Sequence, residues 1–222
     1  MSYFLVQAQR LNLTYGEHVL FKDLQFEQQE KEWVELIGGN GSGKSALIHA
    51  FYGLLPVQSG TLKVLDYSLN PATPDFAAAR RRIGIFSTKV PLIEDKTLRA
   101  NLAIALNAAD KIRDLNSDQY ITDTLAKFGL AEKTLEEVSS LSSGEKVLLG
   151  LARAIIHRPR LLLLDNPFAL LDESSIKLVK ALLTDLHQKE GTGVLLTGLN
   201  LSPYSPDNRK VYQITGKGLE LV

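Results

Sequence analysis

Gly38-Gly39-Asn40-Gly41-Ser42-Gly43-Lys44-Ser45 fits the spacing G-x-x-x-x-G-K-[ST], a loop that holds nucleotide phosphates. Its flanks suit that role. Trp33-Val34-Glu35-Leu36-Ile37 reads as a short strand, apolar except for Glu35, and Lys44 to Tyr52 reads as a helix with Ala46, Leu47, Ala50 and Phe51 on its apolar face. The glycines between them let successive N–H groups turn inward and form a concave anion site. The helix N-terminus aims its dipole and unpaired donors at the same point. Lys44 is then placed to reach the outer phosphates and the Ser45 hydroxyl to ligate Mg²⁺.

Working outward, strands and helices alternate. The segment from Tyr3 to Phe26 is rich in strand formers and turns at Tyr15-Gly16-Glu17, and Gly60 to Val64 is a further strand. Asn70-Pro71-Ala72-Thr73-Pro74 is a breaker cluster opening a helix that runs through Arg80-Arg81-Arg82. Ile83 to Phe86 is a short apolar strand, and Thr97 to His157 carries mainly helical periodicity with breaks near Gly129 and Leu141-Ser142-Ser143-Gly144. Leu161 to Leu164 and Gly193 to Thr197 read as buried strands around an amphipathic helix, Glu173 to Glu190. Val211 to Ile214 and Leu219 to Val222 read as closing strands. The expected fold is α/β, with a mostly parallel sheet covered on both faces and a helical block inserted in its middle.

Composition bounds the function. The 222 residues are 45% hydrophobic, enough for a substantial core, and no internal repeat or low-complexity tract is present. Lys+Arg and Asp+Glu are both 25, so net charge draws the chain to neither nucleic acid nor membrane. Zero cysteines exclude disulfides and thiolate metal sites. No stretch reads as a signal peptide or bilayer span. The expectation is a cytoplasmic protein, peripheral at the inner face of the membrane only through a partner. Arg80-Arg81-Arg82 is most simply a solvated helix end, and no nucleic-acid role is expected.

The second nucleotide signal is the Leu161–Leu164 strand followed by Asp165, a carboxylate delivered to the sheet's C-terminal edge where it can hold Mg²⁺ through water. Leu171-Asp172 lies just beyond. Between loop and strand, Leu141-Ser142-Ser143-Gly144-Glu145 opens a helix, with Ser142 suited to the N-cap and Arg153-Ala154-Ile155 following. In this order over the whole chain, these features resemble the ATP-binding domain of the ABC ATPase family, whose signature is L-S-G-G-Q. The resemblance implies a P-loop NTPase (RecA-like) core, an N-terminal antiparallel β-subdomain and a helical subdomain inserted at about 90–157, in a single domain spanning 1–222. It also implies ATP and Mg²⁺ as cofactors. Two such domains would meet head to tail, with ATP between the phosphate loop of one and the signature of the other. Nucleotide contacts would then fall on Tyr15, stacking on adenine, on Gly38, Gly39, Asn40, Gly41, Ser42, Gly43, Lys44, Ser45 and Ala46, and on Asp165. Ser45 and Asp165 would hold the metal. Ser142, Ser143, Gly144 and Glu145 would form the signature that completes a partner's site, Ser142 and Gly144 facing its γ-phosphate, with Ser143 and Glu145 in place of a glycine and a glutamine.

Three water-handling positions depart from the family pattern. Asn166 stands where the family has a glutamate, and an amide can orient water but cannot accept its proton. Thr88, after Ser87, stands where a glutamine contacts metal and water near the transporter-subunit interface, and Gly198 stands where a histidine contacts the γ-phosphate. The four histidines lie elsewhere, at His18, His49, His157 and His187; His187 is expected on the helix surface. The expectation is a site that holds ATP and hydrolyses it slowly. Three roles remain open: nucleotide-binding subunit of a transporter with a separate membrane subunit, soluble regulator acting by ATP-dependent dimerisation, or pseudoenzyme completing a partner's site.

Overall fold

The computed structural model describes residues 3–69, 76–111, 116–202, 205–216 and 218–222. The breaker cluster at Asn70–Pro74 lies outside them. In chain order the strands are β1 (Phe4–Tyr15), β2 (His18–Gln29), β3 (Trp33–Ile37), β4 (Ser59–Val64), β5 (Tyr67–Ser68), β6 (Ile83–Phe86), β7 (Leu161–Leu164), β8 (Gly193–Gly198), β9 (Lys210–Thr215) and β10 (Gly218–Leu221). The helices are α1 (Lys44–Phe51), α2 (Phe76–Arg80), α3 (Leu98–Ala108), α4 (Ser117–Lys127), α5 (Ser143–Ile155) and α6 (Glu173–Glu190).

The strands form two sheets. An antiparallel sheet has the order β2-β1-β4-β5, and a second sheet has the order β10-β9-β3-β8-β7-β6. Pairings from β9 through β6 are parallel, and only β10 runs antiparallel to its neighbour. Side-chain alternation along β7 explains its unbroken leucines. Leu161 and Leu163 enter the core shared with the antiparallel sheet and α1, while Leu162 and Leu164 enter the core formed with α3–α6. Both faces of the strand are covered, so no polar position is needed. The phosphate-loop strand β3 lies between β9 and β8, at the sheet's centre.

Three expectations change. The helical block has a further break, with α3 ending at Ala108 and α4 beginning at Ser117; Asp110 has φ 60. No glycine or proline marks it, which is why periodicity ran through. His187 is buried, not superficial. Its Nδ1–H donates to the Thr192 carbonyl at 2.9 Å and its ring meets Trp33 edge-on at 5.5 Å. It lies four residues after the buried Leu183, on the inward stripe of α6, and Gly191 (φ 72) turns the chain back over it. Arg80 is exposed yet bound: its guanidinium donates to the Tyr52 and Gly53 carbonyls at 3.1 and 2.7 Å. Among the described residues no helix is long and apolar enough to cross a membrane.

Candidate nucleotide-binding site

The loop between β3 and α1 needs glycine at two of its positions, Gly43 that the spacing requires and Gly41 that it leaves open. Gly41 and Gly43 have φ of 76 and 100, and a Cβ on Gly43 would lie 2.6 Å from the Phe21 ring. Lys44 folds back over the loop, donating to the carbonyls of Gly38 at 2.6 Å and Gly39 at 2.7 Å. Burial lowers its pKa, and the Asp165 charge opposes that shift.

Beside the loop, three elements converge on one carboxylate oxygen. The Ser45 hydroxyl from α1 and the Thr197 hydroxyl from β8 each donate to Asp165 Oδ1 at 2.9 Å. The Asn166 N–H in turn donates to Thr197 Oγ1 at 3.0 Å. Asn166 sits at φ 50, a left-handed conformation that asparagine tolerates better than most residues. Ser45 and Asp165 present hard oxygen donors, the set that suits Mg²⁺. Among the described residues no group of three or more His, Cys, Asp or Glu side chains is placed to hold a metal. Two protein oxygens completed by phosphate and water is the arrangement magnesium commonly takes.

A cavity of about 430 Å³ unites these groups. Asn40 to Ala46, Tyr15, Thr88, Asp165 and Asn166 all line it. Gly38 and Gly39 contribute the carbonyls that hold Lys44 instead. Of the three departures, Asn166 and Thr88 face the cavity; Gly198 ends β8, and the following Leu199 reaches the lining.

The signature residues lie apart from this cavity, and none of them lines it. Ser142 caps α5, with its own N–H and hydroxyl donating to Glu145 Oε2 at 2.9 and 2.7 Å. Lys133 holds the other carboxylate oxygen at 2.8 Å. The hydrogen bonds from Lys133 and Ser142 draw the Glu145 pKa down to about 2. Asp172 caps α6, accepting from the Ser175 N–H at 2.7 Å.

Sequence reasoning missed three groups at the site. Thr197 was read only as a strand end, although its hydroxyl joins Asp165 to Asn166. His49 is 5% exposed and lines the cavity one turn beyond Ser45, with Nε2 2.6 Å from Ser87 Oγ. Burial, foremost, lowers the His49 pKa. Lys89 places its ammonium over the Tyr15 ring, 5.1 Å from the centroid. The i,i+4 spacing from Ser45 could have flagged His49; nothing local signalled the other two.

Comparison with known proteins follows the same lines. The ABC transporter family model matches residues 21–169, more than half of the chain. The methionine import ATP-binding protein MetN 1 of Acinetobacter baylyi is 33% identical over 198 residues, covering 86% of this chain and 55% of that protein. This chain therefore spans about half the length of that relative. The cytochrome c biogenesis ATP-binding export protein CcmA of Dechloromonas aromatica is 31% identical over 193 residues, covering 87% of this chain and 92% of that protein. Among solved structures, the dimeric ATP-binding cassette MJ0796 bound to ADP and Pi superimposes with a TM-score of 0.86 at 22% identity. That match covers 97% of this chain and 96% of the other.

Proposed function

Because this chain belongs to the ABC transporter ATP-binding family, we propose that it is the Mg-ATP-binding component of a membrane transporter, with hydrolysis slowed by its own substitutions. The observation that carries this reading is one cavity that joins an intact phosphate loop and the Ser45–Asp165 oxygen pair to Asn166 and Thr88. In this reading the loop N–H groups and Lys44 bind the phosphates, with Lys44 exchanging the Gly38 and Gly39 carbonyls for phosphate oxygens. Ser45 and Asp165 hold Mg²⁺, which neutralises charge on the outer phosphates. Exposed Tyr15 offers a flat π surface to adenine.

Asn166 orients a water but takes no proton from it. Loss of a general base costs roughly 10²- to 10⁴-fold in rate, about 3–5 kcal/mol of barrier. A second cassette would bring its Ser142–Gly144 turn to the phosphates, since this chain's own turn does not line the cavity. With no membrane-crossing helix among the described residues, a separate membrane subunit would supply the path and hold this chain at the cytoplasmic face.

Turnover by purified protein, with Lys44→Ala as the blank, tests the reading. Tight Mg-ATP binding with turnover well below about one per second is expected. Asn166→Glu should raise the rate on the order of 10- to 100-fold, short of full recovery while Thr88 and Gly198 stay. Ordinary turnover by the unaltered protein would overturn the slow-site reading.

A further inference from the structure

The cavity's charged lining is uneven. Its lysine and carboxylate side chains are Lys44, Lys89 and Asp165, two cations against one anion. Lys44 is the loop lysine and is engaged by loop carbonyls. Lys89 belongs to no motif. It follows Thr88, at the end of the cavity where Asp165 and Asn166 lie, yet its ammonium rests on Tyr15. Its side chain therefore runs from the end of β6, where the Asp165 N–H bonds the Phe86 carbonyl at 2.8 Å, to Tyr15.

Its backbone is hydrogen-bonded while its side chain is exposed. The Lys89 N–H donates to Ser87 Oγ at 3.3 Å, and the same oxygen lies 2.6 Å from His49 Nε2. Ser87 and His49 are buried, whereas Lys89 itself is exposed. An exposed cation thus stands on a buried base. A cation over an exposed aromatic ring gains little. A charge-assisted contact with a phosphate oxygen gains more, and the ring face is then released for a base.

We propose that Lys89 is a further nucleotide-binding residue, a cationic strap that leaves Tyr15 for the outer phosphates when nucleotide enters and so favours the triphosphate over the diphosphate. This rests on the ATP-binding reading above. Each phosphate lost removes negative charge near the Thr88 end of the cavity, where Lys89 is anchored, so the strap contributes most to ATP.

Calorimetric titration of Mg-ATP and Mg-ADP tests it with the wild-type chain, Lys89→Ala, Lys89→Arg and Lys44→Ala at two salt concentrations. Since Lys89 is exposed, its replacement should leave the melting temperature unchanged. Lys89→Ala is expected to weaken ATP binding ~10-fold and ADP binding no more than about 3-fold, Lys89→Arg to recover most of the loss, and the ATP effect to shrink at high salt. Unchanged ATP affinity in Lys89→Ala would overturn the proposal. So would equal losses for both nucleotides, or tighter binding, which would make Lys89 an obstruction on Tyr15. If the wild-type chain binds ATP no better than Lys44→Ala does, the ATP-binding reading fails and the strap with it, an outcome distinct from a silent Lys89.

Discussion

Glu35 shows how much one residue can carry outside the motifs. It interrupts an apolar strand, and its side chain is wholly buried in β3, three positions before the phosphate loop. The carboxylate accepts the Ser202 N–H at 3.0 Å and lies 3.5 Å from Arg209 Nε. It thereby ties the segment between β8 and β9 to the central strand. Burial also draws the Lys180 pKa down to about 8, with Glu35 opposing that shift. Glu35 is wholly buried and the Arg209 side chain is 21% exposed, so removing Glu35 leaves that guanidinium and the Ser202 N–H without their partner. Glu35→Ala should therefore cost about 3 kcal/mol, measured as a lower urea midpoint, and Glu35→Gln should cost less because it keeps an acceptor for Ser202. Sequence marked Glu35 as out of place but not its partners, because Ser202 lies 167 positions away.

At the scale of elements, the helix–sheet seam is set by a missing side chain. A Cβ on Gly84 in β6 would lie 2.1 Å from the Ala154 carbonyl oxygen in α5 and 2.8 Å from Leu162. The clash is with backbone, so relief requires moving helix or strand. Gly84→Ala should destabilise by roughly 1–3 kcal/mol, the usual cost of overpacking, read from chemical denaturation. Most elements were legible from periodicity. Glu173–Glu190 and Leu161–Leu164 are unbroken patterns whose ends are marked by a capping aspartate, a glycine or a change in polarity. The break between α3 and α4 was not, because local propensity continues across Ala108-Ala109 and the left-handed residue that closes the helix is Asp110, not a glycine.

For the whole molecule, buried histidines couple stability to pH. His157 is 7% exposed, with Nε2–H donating to the Ile83 carbonyl at 3.2 Å, and burial pushes its pKa down to about 4. An unfolded histidine titrates near 6.5. Between those values the unfolded chain binds more protons than the native one, so stability falls as pH falls. The full benefit is present above pH 6.5 and declines on acidification to about 4, a loss on the order of 3 kcal/mol. His49, lowered by burial too, adds to the same loss. Urea midpoints at neutral and acid pH should diverge, and His157→Gln, which keeps a donor for Ile83, should narrow the gap.

Sequence by itself determined the phosphate loop, the Asp165 strand, the signature turn and the α/β alternation, because each is written in short-range spacing. The loop's left-handed glycines and the cap at Ser142 need only neighbouring residues to declare them. Tertiary structure alone decided that Thr197 shares Asp165 with Ser45, that Lys89 reaches Tyr15, that Glu35 finds Arg209 and that His187 is buried. Each of these joins segments that only folding brings together, or depends on burial, and both burial and electrostatics are properties of every neighbour at once rather than of any stretch of chain.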